Sequence, residues 1–156
     1  MSTTTPPVSR EMELSRTIHA PRSLVWQVWT EVDNLQQWWG PQRFTNPRCE
    51  IDFRVGGFLR IDMRAPDGVI YPMSGEYEEI VPPKRLVFLT SALDEQGEPI
   101  FTNRNTVLFR EVEGGTEISI HTVVIESTPH AMQYLKRMRE GWNSSLDKLV
   151  DFLKTL

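Results

Sequence analysis

The sequence predicts an α+β domain, a curved sheet of seven antiparallel strands around one long C-terminal helix, with two short helices after the first strand. Three observations carry this. Apolar and polar residues alternate through most of the chain, in runs joined by short turn sequences, as half-buried antiparallel strands require. Helical spacing is confined to two stretches, one following Pro21 and one at the C-terminus. A sheet with one wet face also needs an apolar layer over its other face, and the C-terminal helix is the one element long enough to supply it.

In chain order, residues 1–11 read as a flexible lead without the apolar stretch of a signal peptide, and residues 12–156 as a single domain. "MELSRTIH", residues 12–19, is the first strand, and Ala20-Pro21 ends it. Pro21 suits a first helical turn because its missing N–H would be unpaired there. Leu24, Val25, Val28, Trp29 and Val32 then share one helical face. Asp33 or Asn34 can cap a second short helix that Gly40-Pro41 stops.

The period then changes to two. In "CEIDFRV", Cys49, Ile51, Phe53 and Val55 alternate with Glu50, Asp52 and Arg54. Gly56-Gly57 turns the chain, and "FLRIDMR" repeats the pattern with Leu59, Ile61 and Met63 inward. Asp67-Gly68 is a hairpin signal. A strand over about residues 69–80 ends at Pro82-Pro83, "RLVFLTSAL" follows, and the hairpin of residues 103–125 turns on Gly114-Gly115. Thr128 and Pro129 can open the last helix, over residues 129–155, which would span about 40 Å at 1.5 Å per residue.

Composition excludes several function classes. A net charge of −4 over 156 residues argues against general affinity for nucleic acid or anionic lipid. The basic group Lys136, Arg137 and Arg139 reads as a solvated helix face. No stretch approaches the roughly 20 apolar residues of a membrane span. The single Cys49 forms no intrachain disulfide, fits a reduced, cytoplasmic setting, and reads as a small buried hydrophobe. His19, His121 and His130 have no second histidine or carboxylate at metal-ligand spacing in the sequence. Nucleophile elbows, phosphate loops and dinucleotide fingerprints are missing too. No catalytic residue, metal or cofactor is therefore assigned.

Two features point to a space between sheet and helix. One stripe of the C-terminal helix reads Tyr134, Met138, Gly141, Ser145, and its neighbour reads Leu135, Arg139, Trp142, Leu146, Leu149. The first stripe shrinks where Gly141, Ser144 and Ser145 supply little volume. A helix-interior glycine costs about 1 kcal/mol relative to alanine, so it calls for a reason: close helix–sheet contact or open volume. Trp38 and Trp39, adjacent before Gly40-Pro41, cannot share one helix face. One seats in the core, and the other either completes that corner or lines a cavity rim. Trp39, four residues after Leu35, is the expected core member.

From about Met12 to the C-terminus the chain resembles bacterial proteins similar to the C-terminal domain of the activator of Hsp90 ATPase, within the helix-grip superfamily of Bet v 1-like and START-like domains. The matching pieces are "APRSLVWQVWT" leading to "LQQWWGP", "DFRVGG", Tyr71–Gly75 running into "EEIVPPKRLVF", Gly115-Thr116, and Gly141-Trp142 followed by Leu146 and Leu149. The resemblance implies a sheet gripping the C-terminal helix, often around a hydrophobic cavity. Wider relatives carry lipids or act as cyclases and hydrolases on aromatic polyketides. Full Hsp90 activators have a further N-terminal domain that binds the chaperone. With about 11 residues before the first strand, an Hsp90-type chaperone is the less favoured partner.

The expected function is non-enzymatic binding of a small apolar or aromatic molecule. Phe53, Ile61, Met63, Tyr77, Phe88, Met138 and Trp142 are the expected lining, Gly141 the open volume, and Trp38 or Trp39 the rim. Tyr77 is the expected polar handle. The alternatives are an enzyme acting on a hydrophobic substrate in the same cavity and a chaperone-modulating module. Monomer and homodimer both remain open.

Overall fold

The computed structural model describes residues 10–131 and 136–156. The strands are β1 (Glu11–Ile18), β2 (Thr45–Ile51), β3 (Phe58–Arg64), β4 (Ile70–Val81), β5 (Arg85–Leu93), β6 (Pro99–Val112) and β7 (Gly115–Ser127). They form one antiparallel sheet ordered β1-β7-β6-β5-β4-β3-β2. The helices among the described residues are α1 (Arg22–Thr30), α2 (Val32–Trp38) and α3 (Met138–Leu153), with a 3-10 turn at Pro129–Ala131. This is the seven-stranded helix-grip arrangement the sequence predicts.

Alternation decides which side chains face inward. Leu59 and Ile61 on β3, Leu86 and Phe88 on β5, Val107 and Phe109 on β6, and Ile118 and Ile120 on β7 are buried against Leu146 and Leu149 of α3. The outer face is wet, and its arginines pair with acids: Arg104 with Glu78 at 2.7 Å and Arg85 with Glu79 at 3.1 Å. Such exposed pairs contribute little stability. At Gly75 the strands approach so closely that any Cβ would collide with the Leu89 carbonyl of the neighbouring strand.

Three boundaries differ from the sequence reading. The second short helix starts at Val32 with Glu31 at its N-cap, so neither Asp33 nor Asn34 caps it. The strand expected over "CEIDFRV" starts earlier, at Thr45, and stops at Ile51. Val55, expected inward, is 61% exposed, because residues 52–57 turn: Arg54 and Gly57 close backbone bonds with Asp52 and Arg54. The C-terminal helix is shorter than expected, 16 residues or about 24 Å. Thr128 does not cap it. Its hydroxyl donates to the Ile100 carbonyl at 2.8 Å, which ties the chain to β6. Helical backbone resumes at Met138 after a turn at residues 136–137. Residues 132–135, and with them the expected stripe positions Tyr134 and Leu135, lie outside the described residues, as does most of the expected N-terminal lead.

Candidate functional site

The site is built where α2 ends. The Trp39 N–H donates to Leu35 as the last helical bond, and Trp39 itself is extended (φ −61, ψ 140). Gly40 follows at φ +88, a conformation that favours glycine, so the helix stops and the chain turns away. The released carbonyls are captured by α3. Lys148 Nζ donates to the carbonyls of Trp39 (3.2 Å), Pro41 (3.3 Å) and Phe44 (3.0 Å). Ser144 Oγ accepts the Gln42 N–H at 2.7 Å. An ammonium suits the negative end of a helix dipole, while burial pushes the Lys148 pKa down from its ordinary value. Asn46 completes the clamp, donating to the carbonyls of Gln36 and Trp39, both at 2.9 Å.

This clamp sends the two indoles in different directions. Trp38 is fully buried, its Nε1 donates to the Val28 carbonyl at 2.7 Å, and its ring meets Trp29 edge-on at 4.7 Å. Trp39 is 7% exposed and packs edge-on against Trp142 at 5.5 Å. It walls a cavity of about 440 Å³ between the concave sheet and α3. Trp39, the expected core member, is indeed buried in the core but also walls the cavity, whereas Trp38, the alternative for the rim, is fully buried away from it. Helical spacing from Leu35 carries no weight at Trp39, because the helix has already ended there.

Of the residues expected to line a pocket, the structure brings five to this cavity: Trp39, Met63, Met138, Gly141 and Trp142. The other five are core. Trp38, Ile61, Tyr77 and Phe88 are buried among neighbours, and Phe53 packs edge-on against Tyr77 at 5.0 Å. Tyr77 is therefore not a handle inside the cavity, and burial holds its hydroxyl firmly protonated. Ser145, from the same small stripe as Gly141, also lines the cavity, whereas Ser144 is engaged by the loop. A Cβ at Gly141 would meet nothing within 4 Å beyond its own helix, so open volume, not close helix–sheet contact, explains this glycine.

Sequence reasoning missed Phe44, Met73, Phe101 and Asn103, which also line the cavity. The signal existed for three of them. Met73 and Tyr77 sit four residues apart on β4, and Phe101, Asn103, Asn105, Val107 and Phe109 form one alternating inward row on β6. The lining's ionisable side chains among the described residues are Arg137 and Tyr71, both exposed.

Three other features are less suited to binding an apolar molecule. An open hollow of about 730 Å³ lies beside α1, between residues 19–23 and the β6–β7 turn, where Arg22 faces Glu111 at 3.7 Å. It has no aromatic walls. Glu11, Glu13 and His121 come together across β1 and β7, with His121 Nε2 at 2.5 Å from Glu11. Cross-strand pairing makes this group invisible to sequence spacing, and both acids are exposed. Cys49 is half-buried, and burial, then Asp33 and Glu50, pushes its thiol up to about 11, so it is protonated at neutral pH.

The family model described as "Activator of Hsp90 ATPase homolog 1-like protein" matches residues 19–154. Among solved structures, a Nitrosomonas europaea protein is 28% identical with a TM-score of 0.76, over 93% of this chain and 94% of its own. A Rhizobium leguminosarum protein is 24% identical with a TM-score of 0.83, over 94% and 95%. An activator-homologue protein of Silicibacter pomeroyi is 22% identical with a TM-score of 0.80, over 93% and 98%. The latter two speak to fold alone. Comparison with curated proteins found no match. No helix among the described residues is long and apolar enough to cross a membrane.

Proposed function

The chain belongs to the family of activator of Hsp90 ATPase homolog 1-like proteins, and we propose that it binds a small apolar or aromatic molecule between the concave sheet and α3. The observation that carries this reading is the cavity of about 440 Å³ at Gly141, walled in part by Trp39, Trp142, Met63, Met73 and Met138. Its size falls in the range of small-molecule sites, roughly 300–1,000 Å³. Thioethers and indoles form walls that adapt to flat apolar shapes. Burying about 200 Å² of ligand there is worth about 5 kcal/mol before the entropic costs of association.

Neither an enzymatic role nor a chaperone-modulating one has a specific observation in its favour. An acid–base mechanism asks for a titratable pair inside the cavity, and among the described residues the ionisable lining side chains are the exposed Arg137 and Tyr71.

Native mass spectrometry of the protein as purified from its own cells tests the proposal. The expected spectrum contains the chain plus a small neutral mass that organic solvent removes. A spectrum of the bare chain, together with failure of an emptied sample to take up an apolar dye, would overturn it.

A further inference from the structure

We propose that the cavity's ligand carries a hydrogen-bond donor, an O–H or N–H on its apolar body, and that Asn103 is the residue that reads it. The inference rests on the binding role proposed above and adds the ligand's polar chemistry. Asn103 is 7% exposed and lines the cavity. Its Oδ1 is buried and has no hydrogen-bond partner among the described residues. Its Nδ2 lies 3.9 Å from Met138 Sδ. A thioether sulfur only accepts, so the amide nitrogen belongs on that side and the oxygen is the free group.

The contrast with Asn105 explains why Asn103 is left open. Both face inward from β6, two residues apart. Asn105 Nδ2 donates to Thr90 Oγ1 at 2.9 Å and to the Phe88 carbonyl at 3.3 Å, and its Oδ1 accepts from Thr122 Oγ1 at 2.9 Å. That ladder crosses β5, β6 and β7, with the Thr90 hydroxyl as acceptor and the Thr122 hydroxyl as donor. Asn103 stands opposite Thr90, whose hydroxyl is held by Asn105 Nδ2 and makes no bond to Asn103 Oδ1, and Val124, whose side chain has nothing to donate. A buried acceptor without a donor is costly to leave unmet. A ligand donor would meet it, whereas an ether or carbonyl would set a second acceptor against it. The site should thus select phenols, indoles or N–H heterocycles over their O- or N-methylated or purely hydrocarbon counterparts.

Calorimetric titration with a naphthol and its methyl ether tests this, because the two share an aromatic body and differ in the donor. The wild-type protein should bind the naphthol about tenfold more tightly. In Asn103→Leu, checked for folding by circular dichroism, the preference should vanish through weaker binding of the naphthol. Equal wild-type affinities, or a preference retained in the folded variant, overturn the inference and leave the cavity's binding role standing. No binding of either probe overturns both. The wild-type ratio decides by itself if Asn103→Leu does not fold.

Discussion

The two ends of the space between sheet and α3 are built from the same kinds of residue and end up opposite in character. At the α1–α2 end, Trp29 is enclosed by Trp38 at 4.7 Å, Phe109 at 5.9 Å and a stacked Trp142 at 6.0 Å. At the other end, Trp39 and the far side of Trp142 face a cavity of about 440 Å³. Both ends are lined by inward positions of the same alternating strands, so hydrophobic pattern does not separate them. Size does. The closed end receives indoles from all three helices, whereas the open end is met by Gly141 and Ser145 from α3 and by Thr90 and Ala92 from β5. A fold can thus keep its core dense and still leave room, provided small side chains are gathered at one end.

The comparison breaks most visibly at the tryptophan pair. Trp38→Ala should cost about 3–5 kcal/mol in denaturant unfolding, as a buried aromatic is lost and the Val28 carbonyl loses its donor. Trp39→Ala should cost clearly less and weaken uptake of an apolar dye. Similar losses in the two variants would erase the distinction between the ends.

The clamp that keeps the ends apart comes next. Lys148→Met removes the one donor shared by the Trp39, Pro41 and Phe44 carbonyls. A loss of about 1–3 kcal/mol is expected, with faster hydrogen exchange confined to residues 39–44. Unchanged exchange in that loop would show that Ser144 and Asn46 suffice.

Gly141→Ala probes the open end more gently. Because its Cβ would meet open space, the substitution should raise stability by about 0.5–1 kcal/mol, the ordinary gain of alanine over glycine within a helix. A measured loss would mean that the helix backbone touches the sheet after all. The smallest effect belongs to Cys49, which packs against the core. Burial raises its folded pKa from 9.0 to about 11, so its contribution is fully present below pH 9 and is lost as pH rises towards 11. Part of the alkaline fall in thermal midpoint should disappear in Cys49→Ala, and an identical pH profile would place the thiol in solvent.

How much of this was legible in the sequence follows from what alternation encodes. Period two identified the inward faces and hence the sheet, including Leu59, Ile61 and Met63 on β3, with short turns enforcing antiparallel order. It could not say what each inward residue would meet. Ile61 and Met63 sit two apart on one strand, yet Ile61 is core and Met63 borders the cavity. That Trp39 joins core burial to a cavity face, while Trp38 does not, follows from the helix ending between them, a matter decided by Gly40 and the Lys148 clamp far along the chain. Thr128-Pro129 carries a genuine helix-start signal, but tertiary contact with Ile100 claimed the hydroxyl first. Asn103 was readable as an inward polar residue, while its missing partner was not, since that depends on which neighbours Asn105 had already taken.

Filling the cavity at Gly141 shows whether it holds a ligand. Titration of an apolar fluorescent dye into the wild-type protein and Gly141→Leu, with thermal unfolding recorded for both, compares occupancy against stability. The leucine should lower dye affinity at least about tenfold, a loss of roughly 1.4 kcal/mol, while the folded state persists. A folded Gly141→Leu protein that binds the dye as well as the wild type would contradict ligand binding in the cavity.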